Sequence, residues 1–132
     1  MRATFALIVV LASTSAMAAG SSAGYGGGGP PGPFLAIVQQ YNQSGEVFRI
    51  VGNCQSSCTL FLGIRNVCIE PEASLLFHAG LNPSTTGLMR GAYNSSLSAF
   101  LEENHALETS AYFTISGTDM IRKFGYRRCS GT

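Results

Sequence analysis

The sequence predicts an α/β domain with a mainly parallel sheet and flanking helices, on three observations. Helically spaced apolar residues alternate with short β-rich runs along the chain. Those runs, at Val47–Val51, Asn66–Ile69 and Ser74–His78, are short and read as buried strands. The length of 132 residues allows a single domain. It is small for this architecture, so some of the usual strands are expected to be missing. There is no internal repeat.

Composition narrows the function classes. Eight Lys and Arg stand against seven Asp and Glu, and charged residues make up only 11% of the chain. Such a balance provides no electrostatic reason to expect nucleic acid or an anionic membrane as a partner. The apolar fraction of 45% is enough to fill a small core, which excludes wholesale disorder.

Met1 to Ala18 reads as a secretory signal peptide. Arg2 precedes an apolar run from Ala3 to Ala12, and Ala16-Met17-Ala18 is a small-x-small cleavage site. The run is shorter than the roughly 20 residues of a membrane span, and a buried helix or an anchor are the alternatives. Cleavage would remove Arg2 and leave seven basic against seven acidic residues, a neutral mature chain. No later stretch is long enough to span a bilayer, so the mature protein is expected to be periplasmic or secreted.

Residues 19–33 form a Gly/Pro-rich leader, and the domain proper is expected over 34–132. Gly26 to Gly29 followed by Pro30, Pro31 and Pro33 reads as neither helix nor central strand. It is either a flexible leader or a loop whose amides line a pocket. Phe34, Ile37, Val38 and Tyr41 then share a helical face, and Gly45 ends that helix. Val47–Val51 is a strand bounded by Gly45 and Gly52. Cys54 to Leu62 opens a helix that buries Leu60 and Phe61, with Ser56 or Ser57 as its cap. Strands follow at Asn66–Ile69 and Ser74–His78, separated by Pro71. Residues 79–91, rich in Gly, Asn, Ser, Thr and Pro, read as a loop. Tyr93, Leu97, Phe100, Leu101 and Asn104 predict a helix over 92–107. Ser110–Ser116 is a strand or a helix start, and Thr118–Phe124 is a short amphipathic helix leaving at Gly125.

Export changes the meaning of Cys54, Cys58, Cys68 and Cys129. In an oxidising compartment they form two disulfides in one of three connectivities. Residues four apart near a helix start have Cα atoms about 6 Å apart, which favours Cys54–Cys58 and leaves Cys68–Cys129. Pairing of Cys54 or Cys58 with Cys68 is the alternative. The C-x3-C spacing also suits zinc, but His78 and His105 are the only histidines available to complete a site. Disulfides are therefore the better reading, with no metal and no cofactor.

The chemistry concentrates at Gly52-Asn53-Cys54-Gln55-Ser56-Ser57-Cys58-Thr59. A serine at a strand-to-helix junction meets the unsatisfied amides of the helix start, which suit a developing oxyanion. Such a serine needs a base, and His78, at the end of a strand, is the candidate. His105 lies among charged residues and reads as a surface residue. The alternative is structural, with the serines capping a helix and His78 an edge histidine.

Gly52-x3-Ser56, the apolar helix after it, Gly63, Asn66-Val67-Cys68-Ile69-x-Pro71 and Leu75-Leu76-Phe77-His78 resemble the proteolytic subunit of the Clp proteases, a family within the crotonase-like superfold. More narrowly, the chain is similar to small exported bacterial periplasmic proteins with a Cys-x-Ser-x-Cys-Thr signature. The resemblance implies a truncated crotonase-like fold, with Ser56 as nucleophile and His78 as general base. It makes the Ser57 N–H one oxyanion donor and puts the other at Gly26-Gly27, with Gly27 the nearer candidate. The family's acidic third residue falls near Phe113, and Glu108 and Asp119 are the nearest acids. The expectation is an exported serine hydrolase or peptidase acting on a peptide or acyl substrate, with oligomerisation open. The rival is a catalytically inactive binding or structural domain of the same fold, held by disulfides. Either way, Ser56 and His78 are expected on the same sheet edge.

Overall fold

The computed structural model describes residues 6–10 and 20–131. Most of the signal-peptide reading, Met1 to Ala18, lies outside the described residues. Of it only 6–10 is described, without regular structure and with Leu7, Ile8, Val9 and Val10 exposed. No described helix is long and apolar enough to cross a membrane.

The chain is mixed α/β. Strands β1 (Gly20–Ser21), β2 (Phe48–Ile50) and β4 (Val67–Ile69) form a fully parallel sheet in the order β1-β2-β4. Strands β3 (Asn53–Gln55), β5 (Ser74–Phe77) and β6 (Phe113–Ser116) form the second sheet in the order β3-β5-β6. There β3 runs parallel to β5, and β6 runs antiparallel to it. The helices are α1 (Pro31–Ser44), a 3-10 helix (Ser56–Gly63), α2 (Pro83–Ala92), α3 (Ser95–Glu103) and α4 (Gly117–Phe124).

The sheets are successive along the chain. β2 leads into β3 through Gly52, whose φ of 57° is a left-handed conformation that glycine adopts at no steric cost. The links run in step, because Glu70 N–H donates to Ile50 O and Ser74 N–H to Gly52 O. Arg49 lies in the middle of β2 and pairs with Glu70. The C-terminal tail hydrogen-bonds β4 on its free side through Ile69 N–H to Arg127 O and Cys129 N–H to Ile69 O.

Four expectations are corrected. Pro31 and Pro33 lie in the first turn of α1 rather than before it. A first turn needs no N–H donors, so proline there loses nothing. Residues 79–91 are not all loop. Asn82 caps α2 by accepting from Thr85 N–H, Pro83 opens it, and buried Met89 docks it. The helix expected over 92–107 is shorter, because α2 ends at Ala92, Tyr93 is extended, Asn94 caps α3 by accepting from Leu97 N–H, and α3 stops at Glu103. The single, mainly parallel sheet expected is instead two small sheets, and three of the four strand pairs are parallel, with β6 alone antiparallel along β5.

The Gly-rich leader is packed rather than free. Gly20–Ser21 pairs with β2, and Ser22 Oγ accepts from Val51 N–H at 2.9 Å. Tyr25 packs edge-on against Phe34 and Phe61, with centroids 6.0 and 5.7 Å away. Phe61 in turn meets Phe48 at 4.5 Å, in the middle of the core. Gly26 O accepts from Gln55 N–H and Asn53 Nδ2. A Cβ on Gly26 would collide with the Asn53 carbonyl oxygen. Gly26→Ala is therefore expected to cost about 2–3 kcal/mol, since backbone rather than a flexible side chain must give way. A urea midpoint equal to wild type would show that the leader does not dock on β3.

Candidate functional site

The two strand ends of the second sheet bring Ser56 and His78 together. In the parallel β3–β5 register, Gln55 is opposite Leu76. Ser56 leaves β3 one residue later and His78 leaves β5 two residues later. Both therefore emerge at the C-terminal edge of adjacent parallel strands, where sites of open α/β sheets gather. They line one cavity of about 440 Å³. Gly29, Pro30 and Pro31 close one side, and Leu81 and Met89 another. Among the described residues no Lys, Arg, Asp or Glu lines it.

Ser56 has φ 56°, one of only two non-glycine residues with positive φ among the described residues. The left-handed conformation costs an L-residue about 1–2 kcal/mol. The capping role expected of Ser56 or Ser57 is not observed. Gln55 occupies the cap position of the 3-10 helix and makes no side-chain cap bond. Ser57 Oγ donates to Gly29 O at 2.5 Å instead, tying the helix start to the leader. Gly28 packs so closely on this turn that a Cβ there would lie 3.0 Å from Ser56 Cβ. The Cys54–Cys58 disulfide closes the same turn, with Cα atoms 5.2 Å apart. Ser56→Gly is expected to be more stable than Ser56→Ala by about 1 kcal/mol, because only glycine relieves the strain. Denaturant melts of the two variants check this, and equal midpoints would count against a strained turn.

His78 is half-buried, and neither ring nitrogen has a hydrogen-bond partner or reaches solvent. Its ring meets that of Tyr112 edge-on, with centroids 5.2 Å apart and planes at 90°. Ser56 and His78 share the cavity without a hydrogen bond between them. The acids lie elsewhere. Asp119 pairs with Lys123 at 3.3 Å on α4, and Glu108 pairs with His105 at 2.9 Å on the surface. Phe113, where the resemblance puts the acid, is opposite Phe77 in the β5–β6 register. That position is beside His78 in space, but it and its neighbour Tyr112 are aromatic.

Ser57 lies in the first turn of the 3-10 helix, where its N–H has no intrahelical acceptor. Gly27 is not brought to the cavity; its carbonyl accepts from Gln55 Nε2 at 3.2 Å. The leader glycine at the cavity is Gly29, two residues on. All four cysteines form disulfides, as Cys54–Cys58 and Cys68–Cys129. Among the described residues no group of three or more His, Cys, Asp or Glu converges as a metal site would require.

Sequence reasoning missed Thr59, Tyr93 and Tyr112. Thr59 Oγ1 donates to Ser56 O at 2.7 Å and lies 2.6 Å from Tyr93 Oη. Burial pushes the Tyr93 phenol far above its ordinary value, so it stays neutral. Burial also raises the Tyr126 phenol, whose oxygen accepts from Asn94 N–H. Nothing in the sequence pairs position 59 with 93, although Asn82-Pro83 did carry a helix-start signal.

The fold and site define a disulfide-bonded mixed α/β domain with a serine and a histidine facing one apolar cavity. No protein-family model matches the chain, and no curated protein matches it.

Proposed function

We propose that the chain is an exported, Clp-protease-like domain of crotonase-like fold that acts as a serine hydrolase or peptidase through Ser56 and His78. One observation carries the reading. Ser56, held in a strained left-handed turn, and His78, with two unpartnered buried ring nitrogens, line the same cavity at the ends of neighbouring parallel strands. Strain and unpaired buried polar groups cost stability, and such features concentrate where function requires them. Export rests on the Met1–Ala18 pattern together with four cysteines that are all disulfide-bonded.

In this mechanism Ser56 Oγ forms a bond to the acyl carbon while His78 takes its proton. The carbonyl π electrons move onto oxygen, facing the Ser57 N–H. Collapse breaks the bond to the leaving group, which departs with the proton from His78. Water, deprotonated by His78, then releases the acid and restores Ser56. A His78 ring nitrogen must first be brought to Ser56 Oγ, as sites without substrate are often looser than the reacting complex.

A second reading has its own support. Among the described residues no acid pairs with His78 and no hydrogen bond joins it to Ser56, which suits a binding domain of the same fold without catalysis. A fluorophosphonate probe separates the two. Hydrolase function is expected to give labelling of the folded wild type that is lost in Ser56→Ala. A folded wild type that stays unlabelled favours the binding domain.

A further inference from the structure

We propose that Thr59 and Tyr93 are positioning residues that aim the Ser57 N–H at the developing oxyanion. The proposal rests on the hydrolase reading above. Its geometry begins at one peptide bond. Ser56 C=O and Ser57 N–H belong to the same planar unit, which is trans. Anything that fixes the direction of the carbonyl therefore fixes the direction of the N–H on the opposite side.

Thr59 Oγ1 donates to that carbonyl at 2.7 Å. A threonine hydroxyl has one hydrogen, so the 2.6 Å contact between Thr59 Oγ1 and Tyr93 Oη is a donation from Tyr93. The relay Tyr93 O–H to Thr59 O–H to Ser56 C=O runs through the interior, with Thr59 0% and Tyr93 7% exposed. Hydrogen bonds in such a chain polarise one another, which makes the Ser57 N–H a stronger donor.

Tyr93 is itself firmly held. Its N–H donates to Arg90 O at the end of α2, and its ring packs edge-on against Phe77 at 5.2 Å. Phe77 is the residue before His78. Through Tyr93, one side chain braces the strand end that carries the histidine and, by way of Thr59, the turn that carries the serine. Ser57 Oγ on Gly29 O secures the same turn from the leader side. Proline at position 57 would remove this N–H but would also disturb the turn, whereas Thr59 allows its aim alone to be altered.

The test uses the full oxidised chain and two readouts, the fluorophosphonate labelling rate and p-nitrophenyl ester hydrolysis. Thr59→Ser keeps the hydroxyl and is expected to stay within about 3-fold of wild type. Thr59→Val and Tyr93→Phe break the relay, with kcat and labelling rate expected to fall about 10- to 100-fold and KM unchanged. Wild-type rates in folded Thr59→Val or Tyr93→Phe would overturn the proposal. So would an equal loss in Thr59→Ser, which would mean that the site needs shape and not the bond. If Thr59→Val does not fold, Tyr93→Phe decides alone, because it keeps the ring against Phe77. A wild type that shows neither labelling nor hydrolysis overturns the hydrolase reading itself, and is distinct from an active wild type that its variants equal.

Discussion

Replacing His78 with leucine is expected to raise the melting temperature and to abolish the reactivity of Ser56. Both effects follow from the same two atoms. The ring nitrogens are buried without partners, and a polar group left in that state costs about 1–3 kcal/mol. Leucine is close to histidine in size and has nothing to satisfy, so a gain of about 1 kcal/mol is expected, a few degrees in Tm. The loss of the base should slow fluorophosphonate labelling by about 10³-fold or more. Stability and reactivity moving in opposite directions is the mark of a residue kept for function. Parallel melting and labelling experiments check it. A lower Tm would show that the imidazole holds the fold together, and undiminished labelling would remove His78 from the mechanism.

Removing the Cys68–Cys129 disulfide is expected to be strongly destabilising, and more so than removing Cys54–Cys58. The bridge joins residues 61 apart, and the chain-entropy model gives such a loop about 4 kcal/mol. That is a large share of the roughly 5–15 kcal/mol that a domain has in total. The structural consequence is local at first. Arg127–Cys129 hydrogen-bonds the free side of β4, so losing the bridge frees the tail and opens the edge of the parallel sheet. Cys54–Cys58 closes only a four-residue separation and is expected to contribute about 2 kcal/mol. Urea melts of Cys68→Ala/Cys129→Ala and Cys54→Ala/Cys58→Ala should therefore rank in that order. The reverse order would mean that strain in the Ser56 turn, rather than chain entropy, dominates.

Several elements were legible because a local pattern and a local stop signal agreed. The face Phe34, Ile37, Val38, Tyr41 ends at Gly45, which is left-handed with φ 73°. Strands β2, β4 and β5 fall within the short β-rich runs 47–51, 66–69 and 74–78, and α4 runs from Gly117 to Phe124 and stops at Gly125. Both disulfide pairings followed from the short spacing of two cysteines and the elimination of the others. The same local logic failed where a helix is made by packing. α2 contains Gly87, Gly91 and three Ser or Thr residues, and its propensity is poor. It forms because Asn82 caps it and Met89 is buried.

The sequence by itself determined the α/β alternation, the presence of a serine at 56 and a histidine at 78, and the disulfide pairing, because each depends on residue type and near-neighbour spacing. Only the tertiary structure decided that the Gly-rich leader folds against β3, that Gly29 rather than Gly27 reaches the cavity, and that the Tyr112 ring packs on His78. It alone joined Thr59 to Tyr93, 34 residues apart. Those relations are set by parallel pairing and by crossing connections, whose partners lie far apart in the chain and leave no local signal to read.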